Sequence, residues 1–237
     1  MKYTSLASSS AGNCYIVDDG QTKLMIDCGI TRGAVRKRSG CTLADFAGCL
    51  ITHEHNDHSK IVPELLKSGM NVYMSEGTAL ALELDDGLLA MAKKVQHNVP
   101  VQIGTFHVVP FTTYHDAAEP LGFLIQSMVD GEILIHATDT VNLRYHFPAA
   151  TIIGIEANFD SCILAQSTKL PKKTIHRIQN THMEIDTLCD ILRGRDLSRC
   201  REIHLLHMSD SHAAEEEFIY KVRRAVPHGI QVTAAPR

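Results

Sequence analysis

The chain contains no tryptophan, no Cys-x-x-Cys pair, no internal repeat and no linker rich in proline, glycine or serine. It has no run of about eighteen apolar residues, which excludes an ordinary membrane-spanning helix. Its opening "MKYTSLASSS" lacks the apolar stretch of a secretory leader. Seven cysteines (Cys14, Cys28, Cys41, Cys49, Cys162, Cys189, Cys200) form an odd, scattered set. Such spacing reads as reduced, mostly buried thiols and so implies a cytoplasmic protein. There is no basic surplus either: the net charge of −4 argues against the uniformly basic face of a non-specific DNA binder. With 44% hydrophobic and 21% charged residues the composition is that of a folded globule. A single domain over residues 1–237 is the expectation. What the chain has in excess is histidine, fourteen in all.

Short apolar runs bounded by turns read as strands: "CYIVDD", "KLMIDCG", "FAGCLITH", "NVYMS", "VQIGTFHVVPFTTYH", "LGFLIQSM", "EILIHATDT", "TIIGIEAN" and "REIHLLHMS". Helical spacing predicts one helix in "DHSKIVPELLKSG", starting near His58 and closed by Gly69. It predicts others in "GTALALELDDGLLAMAKK", "MEIDTLCDILRG" and "AAEEEFIYKVRRAV". "SSSAGN", Ser8 to Asn13, reads as a loop. Strands dominate first, helices are interspersed, and the order returns in the second half, which favours a layered α/β sandwich over an open parallel sheet.

Four of these strands stop at a histidine or aspartate: His53, His115, Asp139 and His207. Strand ends are where sites are built on a rigid scaffold. In "HEHNDH", His53 and His55 are two apart on an extended segment and can point the same way. Asp57 and His58 fall where the segment turns helical, giving two adjacent pairs, one for each of two metals. Imidazole and carboxylate without cysteine suit zinc, manganese or iron(II). The competing reading is a polar loop that happens to be histidine-rich.

The motif "THEHNDH" resembles the HxHxDH signature of the metallo-β-lactamase superfamily. The resemblance implies an α/β fold of the αββα sandwich type with its site at one edge of two sheets. It implies seven ligands to two divalent ions, zinc or manganese: His53, His55, Asp57, His58, His115, Asp139 as bridge, and His207. Asp27 of "IDCG" would sit beneath the motif and orient a ligand histidine. "SSSAGNCYIV", "THEHNDH", "YHDAAEP", "ATDT" and "IEANFD" look like the YycJ/WalJ-like group, phosphodiesterases associated with 5′→3′ DNA exonuclease activity. The likeness covers roughly residues 1–212, and "HDAAEP" is its most group-specific piece. The group's "GHLS" is replaced here by "THMEIDT", which keeps His182 and changes its neighbours.

By that resemblance His182 is a catalytic candidate that contacts the scissile phosphate, against the alternative of a surface histidine at a helix N-terminus. Asp57 belongs to the catalytic set as a ligand rather than as a free base. Backbone N–H groups around Ser9 and Asn13 could face an anionic substrate, or the segment is a plain turn. Lys172 and Lys173, in a run with Lys169 and Arg177, read either as a solvated loop or as substrate-binding residues. His204 is expected on the face opposite His207, packing in the core. The implied partner is a nucleic acid or nucleotide, with no membrane and with homo-oligomerisation open. Only 67 residues separate Asp139 from His207, too few for a β-CASP insertion. An exonuclease on single-stranded nucleic acid is the first expectation. A cyclic-nucleotide phosphodiesterase of the phage anti-defence type is the second, and a lactonase or thioesterase the third. A binding module that lost its metals is disfavoured by the complete ligand set.

Overall fold

A computed structural model describes residues 1–168 and 170–237; Lys169 of the basic run lies outside the described residues. The strands form two sheets, flanked by helices. The chain divides into two compact units: Met1–Thr112 with Ala117–Glu132 and Pro236–Arg237, and Thr113–Asp116 with Ile133–Ala235.

The first unit opens with β1 (Lys2–Ser9), β2 (Gly12–Asp18) and β3 (Lys23–Ile26), an antiparallel set. The expected six-residue loop at Ser8–Asn13 is instead a tight hairpin. Ser8 pairs with Asn13 and Ser9 with Gly12, leaving Ser10 and Ala11 as the turn. After α1 (Arg32–Ser39) the sheet continues with parallel partners, β4 (Gly48–Leu50) beside β3. The helix expected from His58 to Gly69 is broken into α2 (Asn56–Ser59) and α3 (Val62–Lys67). Pro63 sits in the first turn of α3, where its missing N–H costs nothing, and it could not continue a helix from α2.

Strand β5 (Val72–Met74) pairs with β4. The second expected helix is also two, α4 (Glu76–Ala81) and α5 (Asp86–Met91), because Asp85 caps α5 by accepting from Leu88 N. Lys93 and Lys94 form β6 rather than a helical end. An antiparallel meander of β7 (Val101–Ile103), β8 (Phe106–Thr112) and β9 (Leu121–Ser127) completes the unit. Its core gathers Met25, Cys49 and Ile51 with Val62, Leu65 and Leu66 of α3.

The second unit is built on four parallel strands: β10 (Ile133–Ala137), β11 (Ile152–Glu156), β12 (Glu202–Leu206) and β13 (Gln231–Ala234). All five residues of β10 and of β11 are buried, as expected of parallel strands covered on both faces. Between β11 and β12 come α6 (Ser161–Ala165), α7 (Lys172–Thr181) and α8 (Ile185–Arg193). α9 (Glu215–Ala225) lies before β13. The α8 residues Leu188, Cys189 and Leu192 and the α9 residues Phe218 and Val222 are buried, and the two helices pack together. Lys172, Lys173 and Arg177 of the basic run are therefore helical: Lys172 and Lys173 lie in the first turn of α7, exposed, behind Pro171 at the cap. His204 is half-buried and bonded to Glu202 and Thr233, not packed in an apolar core.

Candidate metal centre

In the first unit the histidine segment begins just past β4. Asp27 follows β3 in the left-handed region, φ 56°, a conformation that costs a non-glycine residue of order 1–3 kcal/mol unless its surroundings fix it. They do. Its fully buried carboxylate accepts hydrogen bonds from Thr52 N (2.8 Å), Thr52 Oγ1 (2.9 Å) and Nδ1 of His58 (2.8 Å). Burial pushes the Asp27 carboxyl up, against the opposing charge and hydrogen bond of His58. A carboxylate on Nδ1 places the proton there and turns Nε2 of His58 outward as a lone-pair donor.

That Nε2 lies 3.4 Å from Asp57 Oδ2 and 3.0 Å from Asn13 Nδ2. Nε2 of His53 is 3.1 Å from Nδ1 of His55, and the His53 and His58 rings are 4.1 Å apart, centroid to centroid. His53, His55, Asp57 and His58 thus converge. Asn13 and Ser9 are 0% and 5% exposed. The Asn13 amide donates to Ser9 O (3.0 Å) and Asp57 O (3.3 Å), and Ser9 Oγ accepts from Ala11 N (3.3 Å). "IDCG" has a second function at Gly29. Its N–H donates to Asn13 O (2.8 Å), and a Cβ there would stand 1.6 Å from the Asp57 carbonyl oxygen. Only glycine permits that approach.

In the second unit Asp139 and His207 follow β10 and β12, each in the left-handed region at φ 48° and 49°. Asp139 Oδ1 accepts from Thr138 Oγ1 (2.8 Å), and its oxygens lie 3.6 Å from His115 Nε2 and 3.7 Å from His207 Nδ1. His115 donates from Nδ1 to Thr181 O (2.8 Å) and so presents Nε2 to the carboxylate side. Burial lowers its pKa despite the pull of Asp139. Asn158 donates to His207 O (2.7 Å) and lies 3.1 Å from His207 Nδ1.

Two residues here have no role in the sequence reading, Asn158 and Glu156. Glu156 is fully buried at the end of β11. Its Oε1 accepts from His182 Nδ1 (2.6 Å), and its Oε2 accepts from Thr140 N (2.6 Å) and Met183 N (3.2 Å). Burial alone would raise the Glu156 carboxyl, and the charge and hydrogen bond of His182 more than offset it, holding it low. For His182 burial would depress the pKa, but Glu156 raises it. The His182 ring stacks on His207 (5.5 Å, 10° between planes) and meets His115 edge-on at 5.0 Å. The available signal was an acidic residue ending an otherwise apolar strand, "IIGIE".

Asp139, Glu156, His182 and His207 bring ligand-type atoms within 4.8 Å of one another. Every donor in both units is an imidazole nitrogen or a carboxylate oxygen, with no thiolate, a set that fits zinc, manganese or iron(II). Lys172 and Lys173 stand apart on α7, whose Arg177 pairs with Asp116 through two hydrogen bonds (2.6 and 3.2 Å), one residue from His115.

Residues 9–143 match the family model of the metallo-β-lactamase superfamily, and the chain belongs to that superfamily. It is 34% identical over 168 residues to exodeoxyribonuclease YycJ of Bacillus anthracis, an alignment spanning 68% of this chain and 64% of that one, just under two thirds of the relative's length. Exodeoxyribonuclease WalJ of Streptococcus pneumoniae is 28% identical over 234 residues, covering 91% and 84% of the two chains. Among solved structures, the metallo-β-lactamase-fold protein YhfI of Bacillus subtilis superposes with a TM-score of 0.74 at 15% identity, over 99% and 96% of the chains, a likeness of fold.

Proposed function

We propose that the chain is a phosphodiesterase acting on nucleic-acid ends, a 5′→3′ exonuclease on single strands. It would use two divalent ions, zinc or manganese, held by His53, His55, Asp57, His58, His115, Asp139 and His207. The observation that carries this reading is the Glu156–His182 pair. Nδ1 is committed to the buried carboxylate, whose charge favours the imidazolium form, so the ring is fixed in orientation and offers a protonated Nε2 to an oxyanion. A phosphodiester, with a poor alkoxide leaving group and a charged transition state, gains from such a donor. A neutral ester or lactone has less use for it. The exodeoxyribonucleases among the relatives support a nucleic-acid substrate.

The ions would supply Lewis acidity and neutralise charge developing on the phosphoryl oxygens. The chain's own residues do the positioning. Asp27 fixes the His58 ring and Glu156 fixes His182. Lys172 and Lys173, exposed at the start of the helix that ends at His182, attract the polyanion. His182 donates to the departing oxygen.

The test is His182→Ala on two substrates. For an oligonucleotide kcat should fall by roughly 10²–10⁴, the usual size of a general-acid contribution. For bis-p-nitrophenyl phosphate, whose leaving group scarcely needs a proton, the fall should be much smaller. Equal losses on both would remove His182 from leaving-group chemistry.

A further inference from the structure

Between Asp139 and β11 the chain runs as a strap without helix or strand, residues 141–149, carrying "RYHF" at Arg144 to Phe147. Its path is fixed at both shoulders of Arg144: the Arg195 guanidinium donates to the carbonyl oxygens of Leu143 and Tyr145. Its start is fixed too. Val141 N donates to Tyr114 O (3.1 Å), Tyr114 N donates to Thr140 Oγ1 (3.0 Å), and Thr140 N donates to the same Glu156 carboxylate that holds His182. Held in this way, the exposed Arg144 guanidinium lies over the half-buried Tyr114 ring, 4.7 Å from its centroid. Among the described residues it makes no ion pair and no hydrogen bond, so its five N–H donors remain available. Tyr114 is covalently next to His115, and Thr140 is next to Asp139.

An arginine held over an aromatic ring by its guanidinium carbon can still turn N–H donors to bidentate contact with a phosphate. We infer that Arg144, braced on Tyr114, grips a non-scissile phosphate of a single-stranded nucleic acid beside the His115–Asp139 site. The inference rests on the phosphodiesterase reading and adds to it a second phosphate contact. That contact would make a strand a better substrate than an isolated diester.

The test compares wild type, Arg144→Ala, Arg144→Lys and Tyr114→Phe. The substrates are a twelve-nucleotide oligothymidylate at graded salt and bis-p-nitrophenyl phosphate, which has no second phosphate. Binding of the oligonucleotide is followed separately by fluorescence anisotropy. Arg144→Ala should raise KM and Kd for the oligonucleotide on the order of tenfold to a hundredfold, the size of a lost hydrogen bond to a charged group. Its effect on bis-p-nitrophenyl phosphate should be far smaller. The slope of log K against log salt should become shallower by about 0.7, one single-strand contact. Lysine should restore the affinity only in part, and Tyr114→Phe, which keeps the ring, should stay near wild type. If wild type cleaves the strand while Arg144→Ala shows the same KM and salt slope, the inference is overturned and the nuclease reading stands. If wild type binds the strand without cleaving it and Arg144→Ala binds more weakly, the reading falls and the phosphate grip stands. A wild type that neither binds nor cleaves the strand removes both.

Discussion

His182 donates from Nδ1 to the Glu156 carboxylate across 2.6 Å, and the same carboxylate takes the backbone N–H groups of Thr140 and Met183. One buried side chain therefore sets the imidazole, the segment after Asp139 and the start of the stretch leading into α8. Glu156→Gln removes the charge and turns an amide N–H₂ toward one of these donors. Activity on an oligonucleotide is expected to drop about 10–100-fold, the usual cost of losing a partner that orients a site residue. The measurement is kcat, with circular dichroism to confirm the fold. Unchanged kcat would detach the pair from catalysis.

Gly29→Ala tests the histidine segment of the first unit. The added Cβ would fall 1.6 Å from the Asp57 carbonyl oxygen and 2.8 Å from Asn13 N, both backbone atoms that cannot swing aside. The segment carrying Asp57 and His58 must shift. Overpacking of this kind costs about 1–3 kcal/mol or more, and a midpoint shift of about 2–4 °C per kcal/mol is expected for a chain of this size. The variant should also bind less metal per chain. A protein with wild-type melting and metal content would show that the contact is not as tight as described.

The pH dependence of stability should include a contribution from Lys221, which reaches Asp160 (2.9 Å) and Asp186 (3.0 Å). Burial would lower the Lys221 pKa, but its hydrogen bonds to the two carboxylates raise it overall. Burial would raise Asp160, and the Lys221 hydrogen bond and the N–H groups of Ile163 and Cys162 lower it overall. The raised lysine stabilises fully below its unfolded pKa and loses that contribution as pH climbs past about 10.4. The depressed aspartate stabilises above about 3.9 and loses its contribution as pH falls through its lowered value. Lys221→Met should therefore melt a few degrees lower at pH 7, with the gap closing at both extremes. A gap constant across pH would contradict the ion-pair account.

Most of the strands were readable because each is a short apolar run ended by a turn, and β10 and β11 are as apolar as parallel strands must be; β1, β6 and β13, with polar residues through much of their length, were not. The helices were readable as regions but not as units. Pro63 and the Asp85 cap cut two long helical patterns into four pieces, since local capping outweighs continued periodicity. The helix α7 was hidden by its charge: among its residues only Ile175 and Ile178 supply an apolar face before Thr181. At the site, the density of "HEHNDH" marked its own residues, whereas Glu156 meets His182 26 residues along the chain, a pairing no local spacing can show. The hairpin at Ser9 and Gly12 was obscured because a serine-rich segment reads as a loop even when it pairs.

The most direct test is release of mononucleotides from an end-labelled single-stranded oligonucleotide by protein stripped of metal and then reloaded with manganese or zinc. The stripped protein should be inactive, and activity should rise with bound metal and saturate near two ions per chain. The label should leave a 5′-labelled strand first, and Asp139→Ala should remain inactive at any metal concentration. A folded, metal-loaded protein that releases nothing from the strand, or an Asp139→Ala variant that degrades it at the wild-type rate, would contradict the account.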